Sequence, residues 1–363
     1  MKGAPVTLIN TLAPMIAGKV GQRRSLLSQP SWYTVEHINI ASGEVCQEET
    51  IRDYATFVNI ADGQPEKGNE PVFDYKMKDI HYVLLPQLAD YLIRYNATSA
   101  SDAATESLPR RALLQNGTAY RELLYANVQY VLNSSAAFVQ DPSDHKNLAR
   151  IKADNPVGNW RDSNISLGWG VYPVDVSTAL VPAALYAISD TAKARLMQNF
   201  TSKSTNITES DLAETAERYA TVWEQEAPKF FQYNVTSDQA QERLQGYVQR
   251  ANLSDSLLYG LGSLNGSSSC ATSVEQQQQR LCWWNAALLG SRPSLLTNVG
   301  MLVTNPAYDP NTTKTTELDR ATYHGTFLWG FQTNSMASGL DRIIASCDSA
   351  STRTEVEKSS LNE

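Results

Sequence analysis

Basic runs are missing from this 363-residue chain, whose formal net charge is −8. A nucleic-acid binder needs a cationic surface that displaces condensed counterions, so that class is excluded. No apolar run reaches the roughly 18–20 residues that a spanning helix requires, which excludes a transmembrane segment. Cys-x-x-Cys and Cys/His spacings are also missing, and His occurs only at positions 37, 81, 145 and 324, so no metal site is expected. Neither a Gly-x-Gly-x-x-Gly turn after a strand nor a Gly-x-x-x-x-Gly-Lys-Ser/Thr loop occurs, and no cofactor is expected. The lack of a Gly-x-Ser-x-Gly elbow sets aside an α/β serine hydrolase.

What the chain does contain is material for a core, with 42% hydrophobic and 19% charged residues. Its length suits one large domain or two ordinary ones. Aromatic residues are plentiful enough to supply stacking platforms for sugars. An acidic pI near 5.2 fits a neutral substrate better than an anionic one.

Asn-x-Ser/Thr sequons occur at Asn96, Asn116, Asn133, Asn164, Asn199, Asn206, Asn234, Asn252, Asn265 and Asn311, none with Pro in the middle. Their number and spread point to passage through the secretory pathway of a eukaryotic cell. The expected location is extracellular. Four cysteines, Cys46, Cys270, Cys282 and Cys347, agree with an oxidising compartment, and Cys270 and Cys282 bracket a short loop that a local disulfide would close. Residues 1–18 make a poor signal peptide, being broken by Thr and Pro. Either a signal has been removed or the chain is a piece of a longer protein.

Helical periodicity dominates. Ile80, Leu84, Leu88 and Leu92 form one stripe within residues 76–94, and Leu124, Val128, Val131 and Leu132 form another within 120–132. Ser177 is the expected N-cap of a helix carrying Leu180, Val181, Ala184, Leu185 and Ile188. Further helices are expected over 211–229, from Ser237 or Asp238 through Val248, over 274–289 and over 322–344. Pro86 and Pro182 each remove a backbone donor and should bend or restart their helices. Residues 33–40 and 295–303 are short β-capable runs. The loops 41–53, 154–176 and 309–326 are long, and such loops on a helical scaffold usually house function. Residues 260–279 are Ser- and Gln-rich and read as a flexible excursion, and no interdomain linker or repeat is evident.

The densest segment, residues 155–185, packs Trp160, Arg161, Asp162, Trp169, Tyr172 and Asp175 together with Gly158, Gly168 and Gly170. An acid beside tryptophan suits glycoside hydrolysis, because apolar walls disfavour the carboxylate and raise its pKa, while the rings stack on a sugar. Asp162 paired with Arg161 or a helix terminus is the plainer alternative. Asp175 reads equally as a cap or as a ligand for substrate hydroxyls.

That segment resembles the central loop of fungal and bacterial (α/α)-barrel proteins of the six-hairpin glycosidase superfamily, which often carry Gly-x-Trp-Arg-Asp-Ser, Tyr-Pro-x-Asp-Val and Leu-Val-Pro-Ala-Ala-Leu. Residues 43–49, Gly-Glu-Val-Cys-Gln-Glu-Glu, are similar to a Gly-Glu-Val-x-His-Glu-Glu stretch of that group, with Gln47 in place of the usual His. Residues 74–86 resemble its next helix start, and Tyr323-His324-Gly325-Thr326 with Leu328-Trp329 a late helix entrance.

The resemblance implies an all-α fold, an (α/α)6-type toroid of helical hairpins with long rim loops. It would occupy residues 41–345, between an N-terminal extension or first helix over 1–40 and a polar, disordered tail over 346–363. Related clans, including glycogen-debranching enzymes, trehalases and processing α-glucosidases, place an Asp general acid where Asp162 stands. They invert the anomeric centre through a second carboxylate about 6.5–9.5 Å away. Glu44, Glu48 and Glu317 are the base candidates; Glu49 and Asp319 lie beside them. A helix N-terminus lined with acids is the plainer reading of the early group. The base often lies further along in related clans than this chain extends, so an incomplete barrel is part of the expectation. Trp160, Arg161, Trp169, Tyr172, Asp175, Tyr323, His324 and Trp329 are the candidate sugar contacts; a lone His or Trp is also ordinary core.

The function expected is a secreted glycoside hydrolase acting on neutral chain ends or short oligosaccharides. A catalytically degenerate glycan-binding or scaffold protein is one alternative. A lyase or epimerase on the same barrel is another, and it would want a Tyr/His/Arg constellation for proton abstraction.

Overall fold

A computed structural model describes residues 6–7, 35, 37–98, 120–153, 155, 157–161, 163, 165, 170–198, 200–201, 207–231, 237–250, 252, 296–297, 300–303, 317–328 and 330. These residues are rich in helix and poor in sheet. They fall into two compact units, Met1–Gln232 and Tyr233–Glu363.

The first unit opens with a small antiparallel sheet of β1 (Val6–Thr7), β2 (Glu48–Thr50) and β3 (Val72–Asp74), in which Glu48 faces Asp74 and Thr50 faces Val72. Between β2 and β3 runs helix α1 (Arg52–Ala61). Its periodicity is hard to read because Tyr54, Phe57 and Ile60 face outward and only Ala55 and Asn59 are buried. Asn59 earns its place inside by donating to the Gly68 and Glu70 carbonyls, at 3.1 and 3.0 Å.

Four longer helices follow: α2 (Ile80–Thr98), α3 (Tyr120–Gln140), α4 (Val181–Lys193) and α5 (Glu209–Glu226). The first two follow the expected stripes. Pro86 lies inside α2, and the helix continues through it rather than restarting. Helix α4 is the hub, packed against α2, α3 and α5. It buries Val181, Ala184, Leu185, Ala187 and Ile188, and the small alanines let neighbouring backbones approach. Each fully buried Leu or Ile contributes about 1.5–3 kcal/mol. Across from it, α5 turns Leu212, Ala216, Tyr219, Ala220 and Trp223 inward at helical spacing. The Trp223 ring lies 4.4 Å from that of Phe138, and its Nε1 donates to the Ser135 carbonyl at 3.1 Å, joining α5 to α3.

The start of α4 corrects one expectation. Ser177 is not an N-cap: residues Val176–Leu180 form a π-helical turn that leads into α4, and Ser177 is buried inside it. Pro182 sits at the first positions of the α-helix proper, where its missing donor costs least.

The second unit contains α6 (Ser237–Arg250), with Leu244, Tyr247 and Val248 buried, and the short strands β4 (Leu296–Thr297) and β5 (Gly300–Met301), which pair antiparallel. Residues 322–328, expected to begin a helix, instead run through turns and bends to a bridge between Leu302 and Leu328. The Asp319 carboxylate takes the N–H groups of Ala321 and Thr322, at 2.8 and 2.9 Å, and so offers this backbone an alternative to helical bonding. The helix expected over 274–289, the excursion over 260–279 and the tail over 346–363 lie outside the described residues. No described helix is long and apolar enough to cross a membrane.

Trp223→Ala should cost about 3–5 kcal/mol of the first unit's stability, because it opens a cavity and removes the indole donor from the Ser135 carbonyl. Urea unfolding followed by circular dichroism measures the loss, and a change under about 1 kcal/mol would contradict this packing.

Candidate functional site

Trp160 is held at both ends. Its backbone N–H donates to Asp79 Oδ2 at 2.9 Å, and its indole Nε1 donates to Asp175 Oδ2 at 2.8 Å. Asp79 is the residue just before α2, and its other oxygen accepts the Ile80 N–H at 3.0 Å. Asp175 enters the π-helical turn without a capping bond, so its carboxylate serves the indole rather than the helix end. Asn159 is wholly buried between them: its Oδ1 accepts the Arg161 N–H at 3.1 Å and its amide reaches Asp175 at 3.4 Å. The Arg161 guanidinium lies over the Trp160 ring, 4.5 Å from its centre. Gly158 is needed for the approach. Its N–H and C=O face Asn155 and Lys78, and a Cβ there would come within 2.7 Å of the Lys76 carbonyl oxygen.

Electrostatics sharpen this arrangement. Burial, with Asp175 close by, pushes the Asp79 carboxyl up from 3.8 to about 7, against the pull of its backbone donors. Burial also lowers the Arg161 pKa, while Asp175 opposes that shift.

A second constellation lies at the same end of α2. Gly43 adopts φ +76°, and a Cβ there would overlap the Ala126 carbonyl, so the loop passes α3 closely before presenting Glu44. Asn127 on α3 ties this loop to α2, donating to the Gly43 and His81 carbonyls at 2.9 and 3.2 Å. Lys152 pairs with Glu44 at 2.7 Å, and His81 Nε2 stands 3.7 Å from the same oxygen. Lys78 donates to the Tyr130 hydroxyl at 2.7 Å, and the Tyr82 hydroxyl pairs with Ser134 at 3.0 Å. Burial, helped by Lys78 and Lys152, lowers the His81 pKa and keeps the ring neutral.

The structure thus brings together Trp160, Arg161 and Asp175 of the expected contacts. Tyr172 is half-buried with its ring edge-on to His145, 5.7 Å away. Glu48 lies in β2, where its carbonyl accepts the Cys46 thiol at 3.0 Å. Gln47 is buried with its N–H on the Asp74 carbonyl at 2.8 Å. Glu317, Tyr323 and His324 belong to the second unit, where Tyr323 is exposed and His324 wholly buried against it. Asp162, Trp169, Trp329, Cys270 and Cys282 lie outside the described residues. So do the sequon residues Asn116, Asn164, Asn199, Asn206, Asn234, Asn265 and Asn311, and the side chain of Asn96. Asn133 and Asn252 are exposed.

Asp79, His81, Lys78, Tyr130 and Lys152 are absent from the sequence expectations. An Asp just before a helix reads as a cap, and Asp79 does bond to the first turn; nothing in its spacing reveals Trp160, eighty-one residues on. The lysines and Tyr130 carry no motif.

The Asp79 carboxyl binds its proton more tightly folded than unfolded. Its contribution to stability is complete below about pH 3.8 and is lost as pH rises through about 7. Urea unfolding at a series of pH values should show stability declining across that window, and Asp79→Asn should flatten the slope. An unchanged slope in the variant would remove Asp79 as its source.

The Cys46 thiol is buried, and burial pushes it up to about 12. It should therefore resist alkylation in the native protein at neutral pH and react only after unfolding, as intact mass will report.

No family model matches this chain, and no curated protein or solved structure matches it.

Proposed function

We propose that the chain is a secreted, N-glycosylated glycoside hydrolase on an (α/α)-barrel of helical hairpins, acting on sugar chain ends with Asp162 as its general acid. The observation that carries this reading is the clamp on Trp160. Two aspartates from separate segments fix one tryptophan by its backbone and its indole, and a guanidinium lies across its face. A stacking ring of fixed orientation two residues before a carboxylic acid suits the positioning of a sugar for protonation of its glycosidic oxygen. The base is one of Glu44, Glu48 and Glu317. Glu44 has the most developed surroundings, with Lys152 paired to it and His81 nearby.

A lyase or epimerase on the same scaffold is the second reading, favoured by one observation. Lys78, Tyr130 and His81 form a cationic Tyr/His group of the kind that proton abstraction beside a carboxylate uses.

Wild type and Asp162→Asn should be compared on a panel of aryl glycosides and oligosaccharides, with product anomers followed by NMR. Inverting hydrolysis that falls by at least about a hundredfold in the variant is the expected result. Hydrolysis that survives the substitution would refute the assignment, and an unsaturated product would select the lyase. Single Glu→Gln changes at positions 44, 48 and 317 then assign the base.

A further inference from the structure

The group around Glu44 holds more donors than it uses. His81 is wholly buried, and its Nδ1 accepts the Val45 N–H at 3.1 Å. The ring proton of the neutral imidazole therefore sits on Nε2, which has no hydrogen-bond acceptor among the described residues. Glu44 Oε1, 3.7 Å away, is beyond reach and is already paired with Lys152. A buried N–H left unpaired costs about 1–3 kcal/mol, so an acceptor arriving there would be rewarded. Lys78 has no carboxylate partner among the described residues; its ammonium meets the Tyr130 hydroxyl and the faces of Tyr82 and Tyr130, 5.6 and 5.1 Å from their centres. The Tyr130 ring stands edge-on to His81, 5.0 Å away, so Lys78 and the His81 ring border the same tyrosine, and the Lys78 charge is felt at the imidazole. Two ammoniums, one carboxylate and one neutral imidazole leave a single positive charge. Glu44, Lys78 and Lys152 all keep partial exposure, so the charged members of the group reach solvent while the His81 ring does not.

We propose that this constellation binds the carboxylate of a sugar acid, with Lys78 and the His81 Nε2–H as its donors and Lys152 holding the charge of Glu44 in check. The excess of one positive charge matches a monoanion; the dianionic fraction of inorganic phosphate, which is comparable to its monoanionic fraction near neutral pH, would leave the group negative. The partly exposed Tyr130 ring beside Lys78 suits a ligand that carries an apolar ring face next to its charge. The acidity of the whole chain argues for neutral substrates, and this local surplus is the exception. The proposal rests on the carbohydrate reading above, and it names the chemical class of one ring that the protein recognises.

Isothermal titration of the full chain with D-glucuronate, D-glucose and inorganic phosphate tests it. Glucuronate should bind, glucose at least about tenfold more weakly, and Lys78→Met should weaken glucuronate by about tenfold or more, the worth of one charge-assisted hydrogen bond. Lys152→Met should weaken it too, by leaving Glu44 to repel the ligand. His81→Asn keeps an oxygen for the Val45 N–H and removes the Nε2 donor; thermal melts of all three variants confirm that they fold. Equal binding of glucuronate and glucose would overturn the proposal, as would tighter binding of phosphate or unchanged affinity in Lys78→Met and His81→Asn. Glucuronate binding without turnover of any glycoside would support the carboxylate site and remove the hydrolase reading. Turnover of neutral glycosides without glucuronate binding would do the reverse.

Discussion

Two carboxylates on one tryptophan set the geometry of the first unit's site. Asp79 is fixed by the start of α2 and Asp175 by the entry to α4, so the Trp160 loop is strung between two helices whose packing is settled elsewhere in the core. Neither carboxylate is placed cheaply. Asp79 in particular loses hydration and feels a like charge, and its backbone bonds offset only part of that cost. A loop without a task would be held as well by neutral groups. Two acids here fit a segment whose orientation matters more than its contribution to stability.

The two constellations share a frame. Lys78 contributes its backbone N–H to the Gly158 carbonyl at 2.7 Å and its ammonium to Tyr130, and Asp79 and His81 follow it in the chain. Residues 78–81 thus face the Trp160 loop through the backbone and Asp79, and the Glu44 group through Lys78 and His81. Anything that shifts the beginning of α2 moves both.

Much of the helical layout was legible because its stripes are simple. Leu84, Leu88 and Leu92, and likewise Leu124, Val128 and Val131, are buried where periodicity places them. Helix α1 is not legible in the sequence because its apolar residues Tyr54, Phe57 and Ile60 face away from the core. Ser177 misled as a cap because a π-helical turn has no distinctive residue pattern. At the site, Trp160, Arg161 and Asp175 stood out through local density. Asp79, His81 and Lys152 did not, since their partners lie far along the chain and only tertiary packing brings them together. The same limit explains Asp175, read as a cap or a sugar ligand and found bonded to the indole.

The π-helical turn Val176–Leu180 has a consequence for how this chain tolerates change in length. A wide turn accommodates one residue more than a regular α-turn would, and each residue in a helix rotates what precedes it by roughly 100°. Asp175 faces Trp160 because that extra residue is present. An insertion or deletion at this point would leave α4's buried face intact and swing Asp175 off the indole. A homologue's length across these five positions is therefore a better guide to whether it keeps the site than the identity of the residues themselves.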